Sequence, residues 1–310
     1  MLGTVTRRTF LQAGALSPFA LASALPGAAS SAVKRIPVVD THLHCFAGKD
    51  DKRFPYHADA PYQPEAAATP QHLLKCMEGA GVDYAIVVHP EPYQDDHNYL
   101  DYCLKVGKDR LKGTCLFFAR RKDALAKMKQ LASKQPVVAL RIHAYAPERL
   151  PPFGKPELRQ LWKQAADLGL AVQLHLEPRY APSFEPLIKE FAKTRVLIDH
   201  LGRPFQGTPK EYAVVVRWSR FPNTVMKLSA IPSNKTYPHR KILPVIKELT
   251  DAFGADRLMY GGGFGAEATG KSYMAVREQT RSLIAHLSGA DQAKVLGGTA
   301  EKIFGFTKGR

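Results

Sequence analysis

The segment Val38-Val39-Asp40-Thr41-His42-Leu43-His44 leads from an apolar run directly into a pair of histidines. Side chains of a strand alternate between its two faces, so we expect His42 and His44 on one face and Leu43 on the other. Two imidazoles on one face can converge on a ligand or metal ion, and at the carboxyl end of a buried strand they are typical of a catalytic site in an α/β barrel. An isolated pair also fits one structural and one surface histidine, so the other strands have to decide.

Strand and helix patterns alternate along the rest of the chain. Apolar, β-branched segments lie near residues 36–40, 84–89, 112–118, 137–143, 171–176, 195–200, 224–229 and 257–261. Segments with helical apolar spacing lie near 70–80, 97–107, 122–133, 156–168, 184–193, 209–219, 240–253 and 270–288. Alternation of this kind predicts a parallel sheet, and eight repeats predict a single (β/α)8 TIM-type barrel over residues 33–310.

The first 32 residues are interpreted as a targeting segment. Thr6-Arg7-Arg8-Thr9-Phe10-Leu11 has the twin-arginine pattern, an apolar stretch follows to Leu25, and small residues run from Ala28 to Ala32. We therefore expect export of the folded protein by the twin-arginine route into the periplasm. No apolar run reaches the roughly 18 residues that suggest a membrane span, so no span is expected after processing.

Charge and cysteine usage narrow the class of partner. The formal net charge of +16 becomes +14 without Arg7 and Arg8, because residues 1–32 contain no acidic residue. The basic residues are scattered and form no zinc-finger spacing or arginine-rich tail, so we expect no nucleic-acid partner and prefer a small acidic molecule.

Four cysteines form no Cys-x-x-Cys pair, which predicts buried thiols rather than a zinc site: Cys45, Cys76, Cys103 and Cys115.

Polar residues recur at the ends of successive predicted strands, where a barrel places its chemistry. The candidate catalytic residues are His42, His44, His175, His200 and Glu177. The candidate substrate-binding residues at strand ends are Arg141, His143 and Lys227. Spacing places Glu177 on one face with His175, but periodicity alone does not show which face is the lumen.

The chain resembles the amidohydrolase superfamily, in its amidohydrolase-related (amidohydrolase 2) branch, over nearly all of residues 35–306. The resemblance rests on three motifs: Val39-Asp40-Thr41-His42-Leu43-His44, Val196-Leu197-Ile198-Asp199-His200-Leu201-Gly202-Arg203-Pro204, and the segment from Lys294 to Gly305. The Asp-His-Leu-Gly-Arg-Pro element is most similar to 2-pyrone-4,6-dicarboxylate lactonases and sugar lactonases. This resemblance implies a barrel enzyme, and some lactonases of the subgroup work without a metal.

One departure from the family pattern affects the mechanism. After the eighth strand the family has Gly-Ser-Asp-Phe/Trp-Pro, whereas this chain has Gly261-Gly262-Gly263-Phe264-Gly265. Gly263 takes the position of the aspartate that orients the attacking water or binds metal, so that carboxylate is absent.

Three consequences of the missing carboxylate remain open. Another carboxylate can act as general base, with Glu177 preferred over Glu91 and Glu267. Alternatively His42, His44 and His175, with or without His200, can hold one divalent metal, zinc or manganese, which acidifies a bound water. In the third case the chain has lost hydrolysis and binds a ligand, or it performs a lyase or isomerase reaction that uses histidine and lysine, with Lys227 as the lysine to test.

The connection from Cys45 to Thr69 is long for a compact fold and is interpreted as a partial lid. It contains Arg53 and Tyr56 as candidate substrate-binding residues, and the Arg53 guanidinium suits a carboxylate. The leading hypothesis is hydrolysis of a lactone or other ester-like C–O bond in a small carboxylated or sugar-derived substrate by water. The alternatives are a metal-dependent decarboxylase or lyase of the same superfamily and a non-catalytic periplasmic binding protein.

Overall fold

Eight consecutive parallel strands form the centre of the molecule. The computed structural model describes residues 35–233 and 235–306, so the twin-arginine segment predicted for residues 1–32 lies outside the described residues. The strands are β1 Val39–Leu43, β2 Tyr84–Val88, β3 Leu111–Leu116, β4 Val137–Ala144, β5 Ala171–Leu176, β6 Val196–Ile198, β7 Thr224–Leu228 and β8 Leu258–Tyr260. Each strand pairs with the next in sequence order, as predicted for a (β/α)8 barrel.

A helix follows each strand and covers the outside of the sheet. These helices are α1 Pro70–Ala80, α2 Asn98–Gly107, α3 Ala124–Lys134, α4 Pro156–Asp167, α5 Glu185–Glu190, α6 Pro209–Arg217, α7 Ile242–Phe253 and α8 Gly270–Leu283. Two short helices, α9 Gly289–Ala293 and α10 Thr299–Phe304, complete the described chain, with a π-helical turn at Lys294–Gly298 between them. None of the helices in the described ranges is long and apolar enough to cross a membrane.

Side-chain hydrogen bonds complete the barrel between its last and first strands. The Thr41 hydroxyl donates to the carbonyl oxygen of Tyr260 at 2.7 Å, and the Gly262 amide donates to Asp40 Oδ1 at 2.8 Å. The Tyr273 hydroxyl of α8 donates to the other oxygen of Asp40. Asp40 therefore connects β1 to the glycine turn after β8 and to the helix behind it.

The interior of the barrel changes from apolar to polar along its axis. At one end, an apolar cluster contains Val39, Ile86, Leu197 and Met259, and Phe304 of α10 packs onto it. Further along the same strands lie the buried polar side chains Arg141, Gln173, Asp199 and Lys227. Because strands run in parallel, their carboxyl ends meet at one rim, and the polar layer lies beneath that rim.

A β-bulge in β1 directs the two histidines toward the interior. Asp40 pairs with Ala85 and Leu43 pairs with Val87, so β1 uses three steps where β2 uses two. The extra residue reverses the alternation: Val39 belongs to the inner apolar cluster, whereas Leu43 lies in the outer core between strands and helices. The strand also begins and ends about three residues later than the apolar run suggested, because its pairing continues through the polar segment.

Candidate active site

Five histidines line the rim as one continuous row of rings. The ring centroids of His143 and His175 are 5.1 Å apart, those of His175 and His200 are 5.0 Å apart, and those of His200 and His42 are 4.4 Å apart. His44 extends the row, 5.3 Å from His42. The structure thus brings together all four histidines predicted as catalytic, and it adds His143, which was predicted to bind substrate.

Asp199 lies below this row and receives most of the buried positive charge. Arg141 Nε donates to Asp199 Oδ2 at 3.0 Å, and Gln173 Nε2 donates to the same oxygen at 3.0 Å. Lys227 Nζ lies 3.8 Å from Asp199 Oδ1 and donates to Gln173 Oε1 at 2.8 Å. Arg141 and Lys227, predicted to anchor substrate, are almost completely buried and direct their charge to Asp199.

The ionisation of this buried group is set by its partners. Burial by itself raises the pKa of Asp199, but His42, Arg141 and Lys227 outweigh that effect and hold it well below the ordinary value of 3.8. Burial lowers the pKa of Lys227 to about 8, although the charge of Asp199 acts in the opposite direction. Asp199 is therefore a fixed anion at neutral pH, while Lys227 loses its proton more easily than an exposed lysine.

Burial also keeps the histidines neutral. It lowers the pKa of His44 and of His200 to about 3, and it lowers the pKa of His42 and His175 well below the ordinary value. Neutral imidazole is the form that ligates metal ions. The row therefore presents nitrogen lone pairs rather than positive charges at neutral pH.

A metal-sized group of ligand atoms lies within this cluster. One ligand atom each from His42, Asp199 and His200 lie within 4.8 Å of one another. His42 Nδ1 and Asp199 Oδ1 are 3.2 Å apart but do not align as a hydrogen bond, and both are buried polar atoms without a hydrogen-bond partner. Buried polar groups are normally satisfied, so these atoms fit a divalent cation. Compared with the predicted ligands His42, His44 and His175, the group retains His42 and contains Asp199 and His200.

The protonation of His44 is fixed by a main-chain acceptor. His44 Nδ1 lies 2.6 Å from the carbonyl oxygen of Val88, which can only accept, so Nδ1 carries the proton. The lone pair is then on Nε2. This is the arrangement by which a metal-ligating or carbonyl-polarising histidine is usually oriented, although His44 lies outside the tightest ligand group.

The segment after β6 has a strained backbone. His200, Leu201 and Arg203 have φ values of 56°, 57° and 56°, and Gly202 between them has φ 67°. Left-handed conformations cost non-glycine residues energy and persist at functional sites where the surroundings enforce them. Here the His200 amide and Nδ1 contact Ser229 Oγ at 3.3 and 3.0 Å. The turn places Arg203 beside His175, with its Nη2 against His175 Nε2.

A second carboxylate closes the other end of the histidine row. Glu91 Oε1 lies 3.2 Å from His143 Nδ1, the Tyr145 hydroxyl donates to Glu91 Oε2, and Arg149 Nη1 lies 3.6 Å from Oε1. Burial raises the pKa of Glu91, but its contacts with His143 and Tyr145 and the charge of Arg141 lower it to about 2. Glu91 is therefore an anion at neutral pH, and both of its carboxylate oxygens contact neighbouring side chains.

Three of the predicted site residues lie away from the histidine row. Glu177 follows β5, and its carboxylate pairs with Arg179 at 2.8 Å with 23% of the side chain exposed. Arg53 pairs with Asp51 at 2.7 Å and is 71% exposed. The Tyr56 hydroxyl donates to the carbonyl oxygen of Pro64. Among the described residues, none of the three hydrogen-bonds to a histidine of the row.

The connection 45–69 folds back on itself beside the rim. Phe46 and Ala68 form an antiparallel bridge, and the Lys49 amide donates to the Glu65 carbonyl at 3.2 Å. The Phe46 ring lies 6.1 Å from His44 and 6.5 Å from Tyr62. In this segment Phe46 and Tyr62, rather than Arg53 and Tyr56, extend the line of rings that begins at His42.

The glycine turn after β8 fits closely against β1 and α8. A Cβ atom on Gly261 would lie 2.8 Å from the backbone nitrogen and Cβ of His42. Gly263 has φ 117°, and a Cβ atom there would lie 2.8 Å from Tyr273 Cδ2. An aspartate therefore does not fit this backbone at position 263, and the carboxylate next to His42 comes from Asp199 instead.

Sequence reasoning did not select Asp199 as a site residue, nor Gln173 or Tyr145. One signal was available for Asp199: two cations predicted inside apolar strands, Arg141 and Lys227, need a buried anion. Asp40 and Asp199 both lie at predicted strands, and only the geometry shows that Asp199 is the one between the two cations.

Two relatives match by sequence. The chain is 27% identical over 241 residues to L-fucono-1,5-lactonase from Burkholderia ambifaria, covering 72% of this chain and 78% of that protein. It is also 28% identical over 126 residues to the uncharacterized protein y4mH from Sinorhizobium fredii, covering 39% of this chain and 42% of the relative. The second match therefore spans less than half of that relative.

Solved structures show the same fold at low identity. A probable 2-pyrone-4,6-dicarboxylic acid hydrolase from Acinetobacter baumannii, with citric acid bound, superposes with a TM-score of 0.72 at 18% identity, covering 87% of this chain and 99% of the other. An amidohydrolase from Burkholderia multivorans with bound zinc gives 0.70 at 16% identity, covering 87% and 100%. A 5-carboxyvanillate decarboxylase from Sphingomonas paucimobilis gives 0.59 at 13% identity, covering 88% and 100%.

The family assignment rests on a match along the barrel itself. The family model described as amidohydrolase matches residues 39–306, which begins at β1 and continues past α10. With the histidine row at the carboxyl ends of the strands, this match shows that the chain belongs to the amidohydrolase family and is an enzyme of that family.

Proposed function

We propose that the enzyme hydrolyses a lactone, or another ester-like C–O bond, in a small carboxylated or sugar-derived substrate. The observation that carries this proposal is the row of neutral histidines around one fixed anion, Asp199, at the rim of the barrel. The similarity to an L-fucono-1,5-lactonase over most of both chains supports a lactone rather than an amide.

The histidines of the row and the two carboxylates beside it have different roles in ester hydrolysis. His44, whose proton is held at Nδ1 by Val88, presents an Nε2 lone pair, whereas His42 and His200 lie next to Asp199. Asp199 stays anionic through Arg141 and Lys227, so it can balance positive charge above it without taking a proton. Glu91 orients His143 from the far side.

We propose His42, Asp199 and His200 as the ligands of one divalent metal, zinc or manganese. Their ligand atoms lie within 4.8 Å of one another. His42 Nδ1 and Asp199 Oδ1 are buried without a hydrogen-bond partner, which supports the assignment. Such a metal polarises a carbonyl oxygen and acidifies water. The low pKa values of His44, His200 and Glu91 make these groups weak bases, which favours activation of water by an electrophile.

Arg203 is proposed to bind the carboxylate of the substrate. It lines a cavity of about 380 Å³ between the segments after β6 and β7, together with His200, Phe205 and Tyr237. Its polar contacts are Gln206 Oε1 and His175 Nε2, and among the described residues it forms no ion pair with a carboxylate. A guanidinium in that setting suits the planar fork of a substrate carboxylate.

The proposal is tested by measuring metal content and lactone opening on the same preparations. We expect about one equivalent of zinc or manganese per chain and opening of 1,5-lactones. His42→Ala should lose both, whereas His286→Ala, an exposed histidine outside the row, should lose neither. Lactone opening that is unchanged in His42→Ala would overturn the proposal. Carbon dioxide release from hydroxybenzoates without any lactone opening would assign the site to decarboxylation.

A further inference from the structure

A second cavity begins at the His143 end of the histidine row. It has a volume of about 290 Å³ and lies between the segment after β3, the end of β4 and the start of α4. His143 and Glu91 form part of its wall. Since His143 is also the last ring of the row, the cavity adjoins the proposed reaction site.

Most of the wall of this cavity is apolar. Phe117 and Ile142 come from the ends of β3 and β4, and Leu158 and Leu161 come from α4. Leu150 and Pro151 contribute from the segment after β4. Apolar pockets with few polar groups bind the non-polar part of a ligand and use the polar groups to orient it.

The charges in the two cavities differ in sign. Three carboxylates, Asp59, Glu91 and Glu148, and two guanidiniums, Arg120 and Arg149, line the cavity at His143, so its formal charge is one negative. Arg149 is engaged by Glu91 and by the main-chain oxygen of Asp59, at 3.6 and 3.2 Å. By contrast, among the residues that the structure describes, Arg203 is the only charged one that lines the cavity next to His200. An anionic group is therefore favoured near Arg203 and disfavoured near His143.

Of the five histidines in the row, His143 is the one that lines this cavity. It is 8% exposed, and its Nδ1 lies 3.2 Å from Glu91 Oε1. The cavity therefore meets the row at a buried imidazole that is already paired with a carboxylate, which leaves the apolar part of the wall to contact a ligand.

We propose that this cavity is a specificity subsite for an uncharged alkyl or aryl substituent of the substrate. The inference rests on the proposed function, because it places the carboxylate of the same substrate at Arg203 and its reacting bond at His42, Asp199 and His200. The ring steps of 5.1 and 5.0 Å from His143 to His200 require a substrate whose two ends are separated by several carbon atoms. A compact acid would reach Arg203 but not the cavity at His143.

The test compares binding of 6-phenylhexanoate and propanoate to the full-length protein by NMR titration. We expect 6-phenylhexanoate to bind at least ten-fold more tightly. Ala119→Phe, which places a ring at the wall of the cavity, should remove that preference, and Leu150→Trp, which fills it from the other wall, should do the same. Ala126→Phe, the same change on the exposed face of α3, should keep it.

Each outcome of this test bears on one hypothesis. Equal affinity for the two acids, or a preference that persists in both filled variants, would overturn the subsite. Loss of the preference in the filled variants supports the subsite even when no lactone is opened, since binding is measured without turnover. Lactone opening without the binding preference would leave the proposed function intact and remove only this inference.

Discussion

Arg141 Nε donates to Asp199 Oδ2 at 3.0 Å, and both side chains are buried inside the barrel, 3% and 0% exposed. Lys227, also fully buried, lies on the other oxygen of the same carboxylate. One anion therefore balances two buried cations. Removing it leaves both cations without a counter-charge, and an uncompensated buried charge is strongly destabilising.

Asp199→Asn should lower the free energy of unfolding by about 3–5 kcal/mol, because a neutral amide cannot balance Arg141 and Lys227. Urea denaturation at neutral pH measures this change. Asp51→Asn is the matched control, since Asp51 pairs with Arg53, which is 71% exposed, and should cost at most about 1 kcal/mol. A loss below about 1 kcal/mol in Asp199→Asn would contradict the role of Asp199 as the central anion.

Gly263→Asp should destabilise the fold and should not introduce a useful carboxylate. The backbone has φ 117° at this position, and the new Cβ would overlap Tyr273 at 2.8 Å. We expect a loss of about 1–3 kcal/mol in unfolding free energy from strain and overpacking. Gly265→Asp, where a Cβ meets nothing within 4 Å, is the control and should stay within about 0.5 kcal/mol of the parent. Higher lactone turnover in Gly263→Asp would contradict this view of the turn.

The barrel can be predicted from the local periodicity of apolar residues, whereas the arrangement of the site depends on the register between strands. Eight apolar segments alternating with helical ones predict the barrel, because each period depends only on neighbouring residues. The orientation of His42 depends on the bulge between Asp40 and Leu43, which no alternation pattern shows. The role of Asp199 as a counter-ion could not be predicted for a related reason. Its partners, Arg141 and Lys227, lie far apart in sequence and meet only when the barrel closes.

Glu91 should make the fold sensitive to acid. Its pKa is about 2 in the folded protein and 4.5 when the chain is unfolded, so between these values the unfolded state binds more protons. The stability that Glu91 contributes is therefore fully present above about pH 4.5 and is lost as the pH falls toward 2. Urea unfolding from pH 3 to 7 should show that Glu91→Gln costs most at pH 7 and progressively less in acid. Glu148→Gln, at an exposed neighbour, is the control for loss of a carboxylate on this side of the rim. A stability difference for Glu91→Gln that does not change with pH would refute the prediction.

We propose that Thr6-Arg7-Arg8-Thr9-Phe10-Leu11 directs export by the twin-arginine route. The double variant Arg7→Lys with Arg8→Lys keeps the charge of the segment but removes the arginine pair that this route reads. Fractionation of the producing bacterium should therefore find the parent protein in the periplasm and the double variant in the cytoplasm. Arg35→Lys is the matched control and should be exported normally. Periplasmic recovery of the double variant would rule out this route.

Glu177→Gln should leave turnover within about two-fold of the parent, because a side chain that does not reach the histidine row cannot move a proton there. Spacing alone had made Glu177 the favoured proton-transfer group, since it shares a strand face with His175. In the structure its carboxylate instead pairs with Arg179 at 2.8 Å. Removal of a general base usually costs about 10²–10⁴ in rate, so the two hypotheses differ by a measurable margin. Steady-state lactone hydrolysis decides between them, with Arg179→Gln as the control for loss of the surface pair. A hundred-fold loss in Glu177→Gln alone would return the proton-transfer role to Glu177 and would require this side chain to turn toward His175 when substrate binds.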